Sequence, residues 1–394
     1  MTLGIGGDSN AERAVPRIPM IPFNRASLEG AEIAYLVQAV NNGFISGNGP
    51  FTKQAEKALS EMHDGAAALL TTSCTHALEM SARLLDLQPG DEVIVPSYTF
   101  VSTASAFIWN GARPVFADSR PDTLNIDPDH VERLITPRTR AICIVHYAGV
   151  GADPDRFSAL AEHHGLALIE DNAHGLGGSF NGQTLGTFGA MSTLSFHETK
   201  NITCGEGGAL VINDPRLIER AEILREKGTD RSRFLRGQVD KYTWVDIGSS
   251  WVLSDLLAAV LVGQLERFDA IQDRRIRLWE RYDAELAGWA RDVGAELPVT
   301  PEGTTHTGHM YFVRFSEGSQ RDAFIAHMRD SDIMAVFHYQ ALHESPVGRS
   351  LGEQEDCPVA SAAARRLVRL PLFTDMSDSD QAAVIAAATS FSGR

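Results

Sequence analysis

Between about residues 66 and 212, short apolar runs of strand length alternate with longer stretches whose apolar residues recur at helical spacing. The runs at 67–70, 92–95, 113–117, 141–145, 167–170, 191–195 and 208–212 are bounded by polar or turn-forming segments, as expected of strands buried in a sheet. Their alternation with helices predicts an α/β domain built on a mostly parallel sheet. Two helices carry start signals. Asp127-Pro128 and Asp153-Pro154 each place an acidic N-cap before a proline at the first helical position, where the missing N–H is not needed.

Beyond Ser254 the pattern changes. Leu256, Leu257, Val260, Leu261, Leu265 and Phe268 fall on roughly one face of a long helix, which reads as a bridge between domains. Helices over 321–328 and 379–388 then mix with strands over 310–315 and 334–337, suggesting a smaller α/β domain. A chain of 394 residues exceeds what one hydrophobic core usually supports. The expectation is a large domain over 20–265 and a small one over 266–394, sharing a cleft, behind a flexible tail at 1–19.

Composition narrows the partners. No run approaches the roughly 18 consecutive apolar residues of a membrane helix, and the first residues lack the basic and apolar regions of a secretion signal. Cys74, Cys143, Cys204 and Cys357 are scattered singly, against a disulfide framework or zinc site and in keeping with a reducing cytoplasm. A formal charge of −16 disfavours nucleic acid. A small anion can still be held by local amides and a few cationic side chains, because distant charge is screened.

Candidate chemistry sits at strand ends. The run through Leu168-Ile169-Glu170 delivers Asp171, followed by Asn172-Ala173-His174, to the carboxyl end of a strand, where open α/β sheets bind ligands. Taken alone, such an acid serves equally as a helix cap. Ser195-Phe196-His197-Glu198-Thr199-Lys200-Asn201-Ile202 follows another strand and leads into Gly205-Glu206-Gly207-Gly208. Most lysines are solvated, but one between a strand and a Gly-rich turn suits a side chain held against a ligand.

Asp171 and Lys200 stand 29 residues apart, and with their neighbours they resemble the DegT/DnrJ/EryC1/StrS family of sugar aminotransferases. The resemblance runs from about Ile21 to Leu370-Pro371-Leu372. It implies the type I fold of aspartate aminotransferase and pyridoxal 5'-phosphate as cofactor, with pyridoxamine 5'-phosphate as its amino form. Lys200 would carry the cofactor and move the substrate proton, and Asp171 would pair with the ring nitrogen. Thr72-Ser73-Cys74-Thr75-His76-Ala77 is similar to the family's phosphate turn, which assigns Cys74 and Thr75 to the cofactor. By the same carry-over Phe100, in Pro96-Ser97-Tyr98-Thr99-Phe100, would stack on the ring. Ser195 would bind the phosphate and His174 the phenolic oxygen.

The resemblance also implies a homodimer with shared sites. Gly248-Ser249-Ser250-Trp251-Val252 stands where the family has a Gly-Tyr-Asn-Tyr-Arg-like segment, so Ser250 replaces an Asn offered to the neighbour's cofactor phosphate. Asn42-Gly43-Phe44-Ile45-Ser46 is similar to a loop at the mouth of the family's site, which makes Phe44 and Ser46 substrate contacts. Residues 225–231 and 237–244 resemble the subgroup that aminates C4 of dTDP-4-keto-6-deoxy-D-glucose. L-Glutamate would be the donor and dTDP-4-amino-4,6-dideoxy-D-galactose the product. Lys227 would meet the substrate diphosphate, and Tyr339, within His338-Tyr339-Gln340-Ala341-Leu342-His343, the sugar. The glucose-configured epimer and C3 amination remain open, as does a sensor that binds without turnover. A dehydratase of this fold has histidine at the lysine position, which Lys200 opposes. His338 and His343 lack companions at metal-ligand spacing, so no metal is expected.

Overall fold

The computed structural model describes residues 21–393; the tail expected at 1–19 lies outside the described residues. The seven apolar runs form one sheet of β1 (Ala67–Thr71), β2 (Glu92–Pro96), β3 (Arg113–Ala117), β4 (Thr139–Val145), β5 (Ala167–Asp171), β6 (Met191–Ser195) and β7 (Gly208–Ile212). Their order is β1-β7-β6-β5-β4-β2-β3, and only the pairings of β7 are antiparallel. Helices Cys74–Leu84 and Val101–Trp109 cover Leu69, Val93 and Ile169 on one side. Pro128–Leu134 and Pro154–His164 cover Ile94, Ile142 and Leu168 on the other. Burial on both faces is why most of the strands read as near-continuous apolar runs rather than alternating ones, Met191–Ser195 with its buried Ser192 and Thr193 excepted.

The helix-start signals behave differently. Asp127 accepts a hydrogen bond from the Asp129 amide at 3.0 Å, as an N-cap should. Asp153 does not: it adopts a left-handed conformation at φ 52° and makes no capping bond. That conformation does not place its carboxylate over the first amides, so Pro154 alone marks this start.

The expected bridge is also relocated. The chain breaks at Arg267 into Asp255–Glu266 and Phe268–Val293. The first helix buries Ala258, Ala259, Val260, Leu261 and Val262 in a cluster shared with Ala39, Phe51 and Leu59 of helices Glu32–Asn41 and Pro50–Glu61. An all-round apolar helix belongs inside a core. The 26-residue helix Phe268–Val293 instead leads onward, placing Leu278, Tyr282, Leu286 and Trp289 in a separate C-terminal core. That core lies against a small antiparallel sheet of β8 (Tyr311–Arg314), β9 (Val336–Phe337) and β10 (Leu367–Leu370), ordered β8-β10-β9. Helices Gly318–Asp330 and Asp378–Ser390 pack over it with Phe324, Met328, Val384 and Ala388. Among the described residues no helix is long and apolar enough to cross a membrane, all four cysteines are free, and no cluster of metal-ligating side chains occurs.

Candidate active site

The carboxyl ends of β1 and β6 flank the start of β7, so Thr71, Gly208 and Ser195 lie side by side. The turn after β1 runs over Gly208: a Cβ there would sit 2.4 Å from the Ser73 carbonyl carbon and the Cys74 nitrogen. Only glycine admits that approach. It brings Ser195 beside the N-terminus of helix Cys74–Leu84, where the Ser73 hydroxyl caps the His76 amide at 3.1 Å. The Cys74 and Thr75 amides are first-turn donors without intrahelical acceptors. The Thr75 hydroxyl is 2.8 Å from that of Ser102. Together these groups form a cradle suited to a phosphate. Gly208→Ala is expected to cost about 1–3 kcal/mol by forcing backbone apart and to weaken phosphate binding. Thermal unfolding and a cofactor titration would check both effects.

Asp171 occupies the end of β5 and is almost completely buried. One oxygen accepts the Thr103 hydroxyl at 2.8 Å and the other the Ala173 amide at 3.2 Å. Thr99 lies 3.0 Å from Thr103 and orients its hydroxyl. Burial raises the carboxyl pKa, opposed by these hydrogen bonds and by the Lys200 charge. Behind it, Glu170 accepts the amides of Gly186, Phe188 and Gly189 and lies 2.9 Å from His146 Nε2. His146 Nδ1 accepts the Ala152 amide, so Nε2 carries the proton that Glu170 receives. This buried pair fixes the strand end that carries Asp171.

Lys200 lies in the turn after β6, its amide donating to the His197 carbonyl at 2.9 Å. Burial lowers its amine pKa from 10.5 to about 8, against the raising influence of Cys74 and Asp171. The amine forms no ion pair or hydrogen bond among the described residues. It shares a small cavity with Ser195, Ala173, His174, Asn201 and His309. His174 stacks on His309 with ring centroids 4.2 Å apart, and its Nε2 is 3.4 Å from the Tyr339 hydroxyl. Its Nδ1 is buried without a partner, and burial holds the imidazole neutral by lowering its pKa well below the usual histidine range. Cys74 is uncharged because burial raises its thiol pKa, and its sulfur lies 3.6 Å from Thr193. Phe100 caps helix Val101–Trp109, its half-exposed ring 6.2 Å from Tyr339.

Of the expected site residues, His174, Ser195 and Lys200 line this cavity; Tyr339 touches it through His174, Phe100 lies beside Tyr339, and Asp171 and the Cys74–Thr75 turn stand at the adjoining strand ends. The structure does not bring Phe44, Ser46, Lys227 or Ser250 there within one chain. These are exposed on a second patch, where Asn48 meets Arg225 and Glu226 and Glu226 bridges Ser250. Lys227 lies 3.6 Å from Glu226, so its charge is already partly matched. Thr103, Ser102 and His309 escape sequence reading because their contacts depend on partners far along the chain. The Thr99-x-x-x-Thr103 spacing was the one local signal.

Residues 26–389 match the model of the DegT/DnrJ/EryC1/StrS aminotransferase family. The aminotransferase TlmJ from Streptoalloteichus hindustanus is 33% identical, with 95% of this chain and 97% of that one covered and a TM-score of 0.85. The putative sugar aminotransferase Spr1654 from Streptococcus pneumoniae in its PMP form is 28% identical, covering 94% and 99%, at a TM-score of 0.88. DesV from S. venezuelae is 32% identical over 95% and 99%, at a TM-score of 0.86. The chain belongs to the DegT/DnrJ/EryC1/StrS aminotransferase family. It is a pyridoxal-phosphate-dependent aminotransferase of fold type I. The site fits that cofactor: an unpaired amine faces the cavity, a held carboxylate and a phosphate cradle flank it, and His174 Nδ1 lacks the partner a phenolic oxygen would supply.

Proposed function

We propose that the protein transfers an amino group from L-glutamate to the C4 ketone of dTDP-4-keto-6-deoxy-D-glucose, giving dTDP-4-amino-4,6-dideoxy-D-galactose. The observation that carries the chemistry is the unpaired Lys200 amine in the cavity it shares with Ser195 and His174, its pKa pushed down to about 8 by burial. When bound, pyridoxal phosphate supplies an aldehyde for the amino group and a ring that takes up the electron pair of a breaking C–H bond. Lys200 then has two tasks: holding the cofactor, and shuttling the proton between carbon atoms as general base and acid. Asp171 keeps the ring nitrogen protonated. The amides of Cys74 and Thr75 with the hydroxyls of Thr75 and Ser195 hold the phosphate, and neutral His174 meets the phenolic oxygen. Phe100 covers the ring face, and Tyr339 contacts the sugar.

The remaining assignments rest on a homodimer in which Ser250, Phe44, Ser46 and Lys227 of one chain complete the site of the other. An exposed apolar face supports this: Ile33, Val37 and Val40 on helix Glu32–Asn41, Phe44 and Ile45 after it, and Trp244 and Ile247 are all largely exposed. Ile33, Val37 and Val40 recur at helical spacing and so form one exposed stripe. The same reading divides the chain into a large cofactor domain over 20–265 and a small domain over 266–394, and places the enzyme in the cytoplasm. The choice of a dTDP-linked 4-keto sugar is supported by the resemblance of residues 225–231 and 237–244 to that subgroup. Protein, pyridoxal phosphate, L-glutamate and the keto-sugar would be incubated and the product solved by NMR, beside a Lys200→Ala control. An axial C4 amine absent from the control is the expected outcome. An equatorial amine changes the product to the glucose epimer, and no amine with cofactor bound rejects the substrate in favour of C3 ketones or a sensor.

A further inference from the structure

Asn201 follows Lys200 directly and lines the same small cavity, together with His174, Ser195 and His309. Its side chain is fully committed. Nδ2 donates to the Thr307 carbonyl at 2.8 Å and to Gln272 Oε1 at 2.9 Å, so both of its protons are used. Turning the amide over would set its oxygen against the Thr307 carbonyl, which can only accept. Oδ1 therefore faces His309 Nδ1, 2.8 Å away, and accepts its proton. Burial keeps this imidazole uncharged, and His174, Lys200, Arg275 and Arg369 around it oppose a further positive charge. His309 is thereby held as one tautomer, protonated on Nδ1 with a lone pair on Nε2.

The ring so fixed lies nearly flat on His174, with centroids 4.2 Å apart and planes 19° from parallel. Both rings are also tied through the backbone. The Thr307 hydroxyl donates to the His174 carbonyl at 2.7 Å, and Arg275 Nη2 donates to the His309 carbonyl at 2.7 Å. His174 has little else to set its rotation, since its Nδ1 has no partner and its Nε2 stands 3.4 Å from the Tyr339 hydroxyl. An amide suits the orienting position. A carboxylate there would draw a second proton onto His309 and set a cation against His174, whereas a side chain without an acceptor would leave the ring free to turn over. We propose that Asn201 is a positioning residue: it fixes His309 as the Nδ1–H tautomer, and His309, stacked on His174, keeps the Nδ1 of His174 directed at the cofactor's phenolic oxygen. This deepens the function proposed above and rests on its assignment of His174.

Histidine-selective nitrogen NMR on cofactor-free protein reads the first link, with the His309 signal identified by its loss in His309→Ala. Between about pH 6 and 8 His309 is expected to stay neutral and protonated on Nδ1 in wild type, to take up a second proton in Asn201→Asp, and to lose the Nδ1–H tautomer in Asn201→Leu. Protonation on Nε2 in wild type, or a His309 unchanged in both variants, overturns the proposal. The second link is read in loaded protein from the pH midpoint of the cofactor's absorbance change. A hydrogen bond donated to the phenolic oxygen draws electron density from the group that titrates, so its loss raises that midpoint. Asn201→Leu and His309→Ala are each expected to raise it by about half a unit or more, and His174→Phe by at least as much. Added to His174→Phe, neither should shift it further. An equal shift in that background overturns the proposal, because Asn201 would then act directly from beside Lys200. So does an unmoved midpoint in both Asn201→Leu and His309→Ala where His174→Phe moves it. If His174→Phe itself leaves the midpoint in place, the assignment of His174 fails and the proposed role of Asn201 with it, while the nitrogen spectra show separately whether the tautomer is as described.

Discussion

Replacing Lys200 with alanine is expected to lower turnover by about 10⁴-fold or more, because on the proposed reading one substitution removes both the group that carries the cofactor and the proton shuttle. The pH dependence adds an independent reading. Attack on the cofactor aldehyde requires the neutral amine, and a pKa of about 8 leaves roughly a quarter of the side chains neutral at pH 7.5, against about one in a thousand for an ordinary lysine. Covalent loading of wild type should therefore accelerate with pH and level off above about 8. Stability moves in a defined direction too. The folded-state pKa lies below that of the unfolded chain, so between about 8 and 10.5 the unfolded state binds more protons and cofactor-free protein gains stability as pH rises. Lys200→Ala removes that dependence and the cost of burying the amine. Its cofactor-free form should melt at or above the wild-type temperature at neutral pH, so that lost turnover cannot be ascribed to misfolding. Stopped-flow absorbance and pH-resolved melting curves check these outcomes, and retained turnover in Lys200→Ala would overturn the assignment.

Much of this was legible in the chain because the sheet is buried on both faces. Most strands of this doubly covered sheet are near-continuous apolar runs, and their ends mark where Asp171 and Ser195 emerge, although Met191–Ser195 also buries Ser192 and Thr193. Lys200 stood out between β6 and β7, but its proposed role came from the family resemblance and not from that place. The long-range partners did not appear. Thr103 reaches Asp171 across 68 residues, and His174 faces His309 and Tyr339 from distant segments. No local pattern encodes such contacts. The bridge was misplaced for a related reason: helical periodicity in 254–268 could not show that the far side of Asp255–Glu266 is also covered, by helices more than 190 residues earlier, as in the Thr52–Asp255 contact across 203 residues. The four residues left on the second patch share one feature. Each was inferred from a resemblance involving a neighbouring subunit or a substrate, and neither constrains the fold of a single chain.

Asp171→Asn is expected to reduce turnover roughly 10²- to 10³-fold, the scale on which a preorganised charge facing a developing charge acts, while leaving the protein folded. Asparagine keeps the shape, with its oxygen accepting the Ala173 amide and its NH2 donating to the Thr103 hydroxyl, which can turn its own proton to Thr99, but it supplies no negative charge. The ring nitrogen then loses the partner that keeps it protonated, and the ring becomes a weaker acceptor for the electron pair released at carbon. In cofactor-free protein the effect on stability has the opposite sign. Burial raises the Asp171 pKa above its usual 3.8, so its contribution to stability is fully present below that value and is lost as pH rises through the folded pKa. Above the folded pKa the ionised carboxylate is therefore a burden that only a cationic partner offsets, and Asp171→Asn should melt no lower than wild type when both lack cofactor. With cofactor bound the order should reverse, since wild type alone gains the carboxylate–pyridinium attraction. Single-turnover rates with L-glutamate and paired melting curves would establish this crossing. If Asp171→Asn kept wild-type turnover, or destabilised the cofactor-free protein as much as the loaded one, Asp171 would be a structural strand-end carboxylate and the ring nitrogen would have to find its partner elsewhere.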